Sequence, residues 1–212
     1  MTTGPARSTP KTTGPVAMGG RPEEVRAPEE WLTEVERERA AQFRFDADRR
    51  SFLAAHLLVR LCAAAVLGAG ARELTLLQYC DTHGPGHGRP YLEQAPDLGV
   101  SFSHTRGYVC AAAGHGRVGV DVERVPAGPF DEALAGMALT PGERSLVTGN
   151  DELIRHWTRK EALIKRGELT LDRMAAADQD WSGRYLLEWR AEPDILVAVV
   201  TDAPADRLPI SG

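Results

Sequence analysis

The chain has 212 residues, 42% of them hydrophobic and 26% charged, which is enough to bury one large core or two small ones. Its 25 basic and 30 acidic residues give a formal net charge of −5, so bulk electrostatics give no support to a nucleic-acid binder. Arg60 interrupts the longest apolar stretch, around Leu57 to Leu67, and no continuous apolar run reaches the roughly 18 residues of a membrane span.

The first segment, MTTGPARSTPKTTGPVAMGG, repeats TTGP and lacks the apolar centre of a secretory signal. Residues 1–28 therefore read as a disordered tail. EEWLTEVERERAAQ, ending at residue 42, predicts a short charged helix with Trp31, Leu32 and Val35 on one side. From Asp48 onward, apolar residues recur at 52, 53, 57, 58, 61 and 65 before a Gly-Ala-Gly stop. That pattern predicts a long helix capped by one of the two aspartates before it. LTLLQYC (74–80) predicts a strand, DTHGPGHGRP (81–90) a turn, and SFSHTRGYVCAAAG (101–114) a strand rich in small residues. RVGVDVERV (117–125) alternates as a strand does; a helical stretch follows around 130–148, and DELIRHWTRKEALIKRG predicts a second long helix. RYLLEWRA and ILVAVVTD, near 184–202, predict two antiparallel strands. The order suggests an α+β chain of two similar lobes divided near residues 114–119. Cys62, Cys80 and Cys110 are odd in number and widely spaced, which points to free thiols in a reducing compartment.

Two patterns bear on chemistry. In GVDVERV, strand periodicity puts Asp121 and Glu123 on one face and Val120 and Val122 on the other. Two carboxylates so close suit a hard divalent cation such as magnesium, although a solvated acidic strand face has the same pattern. In HWTRKEALIKRG, Trp157, Glu161 and Lys165 stand four apart and stack along one helix face, with Lys160 one step round. Taken alone, that spacing is equally an ordinary Glu161–Lys165 ion pair. The two histidines of HGPGHG are too few for a metal site, and the chain has no GxSxG, P-loop or GxGxxG motif.

GRPYL, VSFSHTRGYVCAA, GVDVERV and HWTRKEALIKRG occur in that order. Together they resemble the Sfp-like 4′-phosphopantetheinyl transferases, in the branch whose helix motif reads W-x-x-K-E-A-x-x-K. The resemblance covers about residues 29–202. It implies two α+β lobes with pseudo-twofold symmetry, each a small antiparallel sheet with a long helix. The N-terminal lobe is expected over 29–116 and the C-terminal lobe, carrying the metal site, over 117–212. Coenzyme A is expected in the cleft between them as co-substrate, with Mg2+ on its pyrophosphate. The implied reaction moves the phosphopantetheine arm to a serine of an apo acyl or peptidyl carrier protein and releases adenosine 3′,5′-bisphosphate.

Residue by residue, the resemblance implies that Asp121, Glu123 and Glu161 bind the metal, and that Glu161 activates the carrier serine directly or through bound water. Lys160 and Lys165 would neutralise charge on the phosphates. Ser103 and His104 match a Ser-His pair on CoA phosphate, and Arg89 takes the basic position of G-[KR]-P. Arg39 and Arg50 are candidates for the 3′-phosphate, while Trp157 is expected to pack and orient the helix. Two departures stand out: the apolar strand that commonly opens the first lobe looks weak or absent, and the often dibasic segment before FRF reads AAQ. The resemblance further implies a cytoplasmic monomer serving fatty-acid, polyketide or nonribosomal-peptide carriers, with no nucleic acid or membrane partner. A magnesium-dependent nucleotide phosphohydrolase and a non-catalytic CoA-binding module remain the alternatives.

Overall fold

The structure, a computed structural model, describes residues 12–82 and 84–210. The first strand, β1 (Val16–Gly20), is followed by 3-10 turns at Pro22–Glu24 and Glu29–Trp31, then by helices α1 (Glu34–Ala41) and α2 (Asp46–Leu67). A third 3-10 turn, Ala71–Glu73, leads into β2 (Leu76–Cys80), β3 (Gly84–Leu92), β4 (Leu98–Thr105) and β5 (Tyr108–His115). The second half runs β6 (Gly119–Arg124), α3 (Glu132–Ala138), α4 (Pro141–Arg144) and α5 (Asn150–Arg166). It closes with the 3-10 segment Leu171–Ala176, β7 (Tyr185–Glu192), β8 (Ile195–Thr201) and β9 (Asp206–Arg207).

The architecture is α+β with small, mostly antiparallel sheets. The first sheet has the order β4-β5-β1-β9, the second β6-β8-β7, and β2 and β3 form a separate hairpin. Strand, long helix, then two strands recurs in each half: β1, α2, β4 and β5 match β6, α5, β7 and β8. The spatial orders β4-β5-β1 and β7-β8-β6 then coincide, so the lobes share one topology. Helix α2 packs on the first sheet through Ala55, Leu58, Val59, Cys62 and Val66, against Val100, Val109 and Ala111. The other face of the first sheet, with Ala17, Cys110 and Ala112, meets Val118, Val120, Val122 and Val197 of the second. One side of β6 is therefore core, as its alternation requires.

Several expectations need correction. Residues 1–11 of the expected tail lie outside the described residues, but residues 16–20 form a buried strand rather than coil. Val16 and Ala17 are fully buried, and β1 pairs with β5 from Val16↔Ala113 to Gly20↔Val109. Composition misled here because Ala-Met-Gly-Gly carries little strand propensity, whereas a narrow slot between sheets favours small residues. A Cβ on Gly19 would stand 2.9 Å from the Tyr108 hydroxyl.

The expected turn at 81–90 is largely strand β3, whose pairing with β2 slips at Gln78/Tyr79. Positive φ at Gly84, Gly86 and Gly88 accommodates that irregular path. SFSHTRGYVCAAAG is not one strand but a hairpin, turning at Arg106-Gly107. The N-cap of α2 is Phe45, and both aspartates lie inside the first turn, where they complement the helix dipole. Finally, the second lobe does not keep residues 117–212 to itself. The β9 strand pairs in parallel with β1, and Leu208 and Ile210 pack on the first core.

By length and composition α2 also qualifies as a membrane span, but 83% of its window is buried inside the fold, as befits a core helix. Cys62 and Cys110 are buried free thiols, and Cys80 is half-buried.

Candidate functional site

The site forms where β4 of the first lobe meets β6 and α5 of the second. No backbone ladder joins β4 to β6; two serines bridge them instead. Ser101 Oγ accepts from the Val120 amide at 3.1 Å, and Ser103 Oγ donates to Asp121 Oδ1 at 2.8 Å. Helix α5 lies directly on this seam because Gly119 lets it: a Cβ there would stand 1.9 Å from the Ala162 carbonyl. The glycine of GVDVE is thus a packing requirement that brings the helix charges down to the strand charges.

Lys165 Nζ donates to Asp121 Oδ1 at 2.7 Å and to Ser103 Oγ at 2.8 Å, closing a three-membered polar cluster. Its partner is Asp121 rather than Glu161, so the alternative Glu161–Lys165 ion pair does not form. Burial opposes the Lys165 ammonium, but Asp121 outweighs it and raises the pKa. Asp121 is buried, and its second oxygen, Oδ2, has no hydrogen-bond partner among the described residues. Burial, then Asp121 and Glu161, push Glu123 up to about 7, against a hydrogen bond from Trp157 and the charge of Lys165. Burial and Asp121 also raise Glu161, which has no hydrogen bond or ion pair with the described residues. Trp157, Glu161 and Lys165 do share the α5 face turned to β6. Trp157 also packs against Leu153 and the α3 cluster.

Two buried or half-buried carboxylates with raised pKa values, beside an orphaned carboxylate oxygen, are what a cation would relieve. As placed, however, no group of three or more His, Cys, Asp or Glu side chains among the described residues closes to metal-holding range. The Lys165 ammonium supplies part of the missing positive charge.

A cleft of about 330 Å³ opens beside Lys165, lined by Gln78, Gly88, Arg89 and Pro90, by Ser101 and Phe102, and by Ile164. Arg89 reaches across the lobes, since a Cβ on Gly167, just beyond α5, would stand 1.9 Å from its guanidinium. The expected basic group of GRP is therefore at the cleft.

The remaining candidates divide. Ser103 belongs to the cluster, but His104 points to the other face of β4, where burial and Lys165 lower its pKa and Asp48 opposes them. Arg39 Nη1 donates to the Gly86 carbonyl and to Gln78 Oε1, so it ties α1 to the β2–β3 hairpin. Arg50 is exposed on α2 without a hydrogen bond or ion pair to the described residues. Lys160 is a clear correction. It is fully buried, and its Nζ donates to Glu143 Oε2, Met174 O and Ala138 O, away from the cleft. Adjacency to Glu161 in sequence concealed a turn of about 100° around the helix.

Sequence reasoning missed Ser101, Gln78, Phe102 and Ile164 as seam and cleft residues, and the bond from Trp157 to Glu123. Only the last left a trace, because Trp157 stands on the same helix stripe as Glu161 and Lys165.

The geometry agrees with sequence comparison. Residues 117–196 match the family model of the 4′-phosphopantetheinyl transferase superfamily. That bears out the resemblance carried by GVDVE and WTRKEALIK, and the α+β architecture fits that superfamily. A 4′-phosphopantetheinyl transferase of Bacillus subtilis is 24% identical over 136 residues, covering 61% of this chain and 57% of its own length. The 4′-phosphopantetheinyl transferase psf-1 of Bacillus pumilus is 26% identical over 132 residues, covering 59% and 53%. The chain thus spans little more than half the length of these curated relatives. The superfamily match begins at the seam and includes Asp121, Glu123, Trp157, Glu161 and Lys165, while Arg89 and Ser103 lie before it.

Proposed function

We propose that this protein is a 4′-phosphopantetheinyl transferase, moving the phosphopantetheine arm of coenzyme A to a serine of an apo carrier protein. The observation that carries the reading is the Asp121–Ser103–Lys165 cluster, with Glu123 and Glu161 beside it, at the mouth of an interlobe cleft. Lys165 and Arg89 supply positive charge for a pyrophosphate, and such fixed charge usually carries most of phosphoryl-type transfer. Glu161 is the base we assign to the carrier serine. Among the described residues it has no hydrogen-bond partner to displace, and its raised pKa brings its basicity nearer neutrality. Asp121 Oδ2, Glu123 and Glu161 are the oxygens that would hold a divalent cation such as Mg2+, which when bound supplies Lewis acidity to the pyrophosphate. Trp157 orients Glu123 for that role. Both lobes and the cleft come from one chain, which supports a monomer.

The test is intact-mass analysis of an apo carrier protein incubated with the enzyme, coenzyme A and Mg2+. The carrier should gain one phosphopantetheine arm. An unmodified carrier with coenzyme A cleaved would instead support the phosphohydrolase, and binding of coenzyme A without turnover on a panel of acyl and peptidyl carriers would support a binding module.

A further inference from the structure

Each long helix is braced by a buried circuit of capping glutamate, helix cation and carbonyl. Only the histidine leg differs, because His156 Nδ1 meets Gln179 and Glu143 Oε1 has no hydrogen-bond partner among the described residues. In the first lobe, Thr33 and Glu36 form the capping box of α1, and Glu36 accepts two bonds from fully buried Arg60, at 2.7 and 2.9 Å. Arg60 Nε donates to the Leu74 carbonyl at 3.0 Å, and His56 Nδ1 lies 2.8 Å from Glu36 Oε1. In the second lobe, Thr140 and Glu143 form the capping box of α4, and Glu143 accepts from fully buried Lys160 at 2.5 Å. Lys160 Nζ donates to the Met174 carbonyl at 2.8 Å, and His156 Nδ1 lies 3.5 Å from Glu143 Oε1. His56, Arg60 and Leu74 thus recur as His156, Lys160 and Met174, one hundred residues later, on equivalent elements. In each lobe a T-x-x-E cap, a helix cation and a carbonyl from the following 3-10 region are wired together.

We propose that Lys160 is a positioning residue, the second-lobe copy of Arg60. Its circuit fixes the rotational setting of α5 and so holds Glu161 and Lys165 over Asp121. The inference rests on the transferase reading for what is positioned, and on the shared circuit for how. Three bonds use every donor of the ammonium, so reaching a phosphate would strand the Glu143 carboxylate in the interior. The first lobe keeps the circuit although its helix bears no carboxylate face, which separates the circuit from phosphate binding. Rotation matters because a misplacement of about 1 Å at a catalytic group can cost about a hundredfold in rate.

The test compares Lys160→Arg, Lys160→Met and Glu143→Gln in the full chain. Calorimetry reads coenzyme A affinity, carrier modification reads kcat, and thermal melting reads the fold. Lys160→Met and Glu143→Gln should each lower kcat by about tenfold or more, with coenzyme A affinity within about twofold of wild type. Lys160→Arg should recover most of that loss, since the first lobe seats an arginine at this place. A Lys160→Met, Glu143→Gln double variant should be little worse than the poorer single one. Weakening of coenzyme A binding by about tenfold in Lys160→Met alone, no rescue by Lys160→Arg, or wild-type kcat in Lys160→Met would each overturn the proposal. If Lys160→Met fails to fold, Lys160→Arg and Glu143→Gln decide. A wild-type chain that modifies no carrier would count against the transferase reading instead, while non-additive melting of the single and double variants would still report the circuit.

Discussion

Helices α2 and α5 occupy equivalent places in equivalent lobes, yet only one faces a charged seam. Where α5 presents Trp157, Glu161 and Lys165, the matching positions of α2 are Leu57, Leu61 and Ala65, which are buried or packed against apolar neighbours. The strands differ in the same way: β6 offers Asp121 and Glu123, whereas β1 offers only Val, Ala, Met and Gly. One scaffold, used twice, presents an apolar face in the first lobe and a charged face in the second. What stays constant is the buried circuit of capping glutamate and helix cation, and what varies is the face turned to the seam. Architecture and chemistry are therefore separable on the same helix, one residue apart at Lys160 and Glu161.

The sharpest way to break this comparison is to remove charge from the chemical face. Lys165→Ala should lower kcat/KM for carrier modification by about a hundredfold or more, as expected when fixed charge on a phosphoryl centre is lost. An effect of under about twofold would match an exposed ion pair and would return α5 to the status of a solvated helix. The next largest effect belongs to the constant part. Arg60→Met leaves Glu36 buried without its principal partner, and urea unfolding should register a loss of about 3–5 kcal/mol. A loss below about 1 kcal/mol would mean the first-lobe circuit is idle.

Acid should probe the same circuit. Burial works against the Glu36 carboxylate, but hydrogen bonds from His56 and Arg60 hold its pKa down at about 2, against an ordinary value of 4.5. The folded pKa is depressed, so the stabilisation is fully present above pH 4.5 and is lost as pH falls toward 2. Urea midpoints measured from pH 6 to pH 3 should decline for the wild type and decline less for Glu36→Gln; parallel slopes would contradict the assignment. The smallest effect is expected at Trp157→Phe, which keeps the packing and loses the bond to Glu123. It should raise the Mg2+ concentration needed for half-maximal activity by several-fold and leave the melting temperature nearly unchanged. A melting change with an unaltered Mg2+ requirement would reassign Trp157 to packing alone.

Much of this organisation was legible in the sequence because it rests on short-range periodicity. The period-2 alternation of GVDVE and the four-residue stripe of Trp157, Glu161 and Lys165 each fix a face without reference to the rest of the chain. What was not legible depends on tertiary partners. Strand β1 is chosen by its pairing with β5 and by the close approach of Tyr108 at Gly19, and β3 by pairing across an irregular ladder. Lys160 faces inward because Glu143, Ala138 and Met174 receive it, and none of those is its sequence neighbour. No local motif marks Arg39 or Arg50, and α1 directs Arg39 to Gly86 and Gln78 rather than to the Asp121 cluster. The repeated T-x-x-E and H-x-x-x-[RK] pairs were visible all along, but nothing marks them as a circuit until both lobes are folded.

Phosphopantetheine transfer by the β6–α5 face, as proposed, stands or falls with Asp121. The most direct measurement is the initial rate of apo-carrier modification by wild type and by Asp121→Ala, read by intact mass with coenzyme A and Mg2+ present. Wild type should modify the carrier, and Asp121→Ala should give no detectable modification at equal enzyme concentration. Equal rates from the two proteins would contradict it.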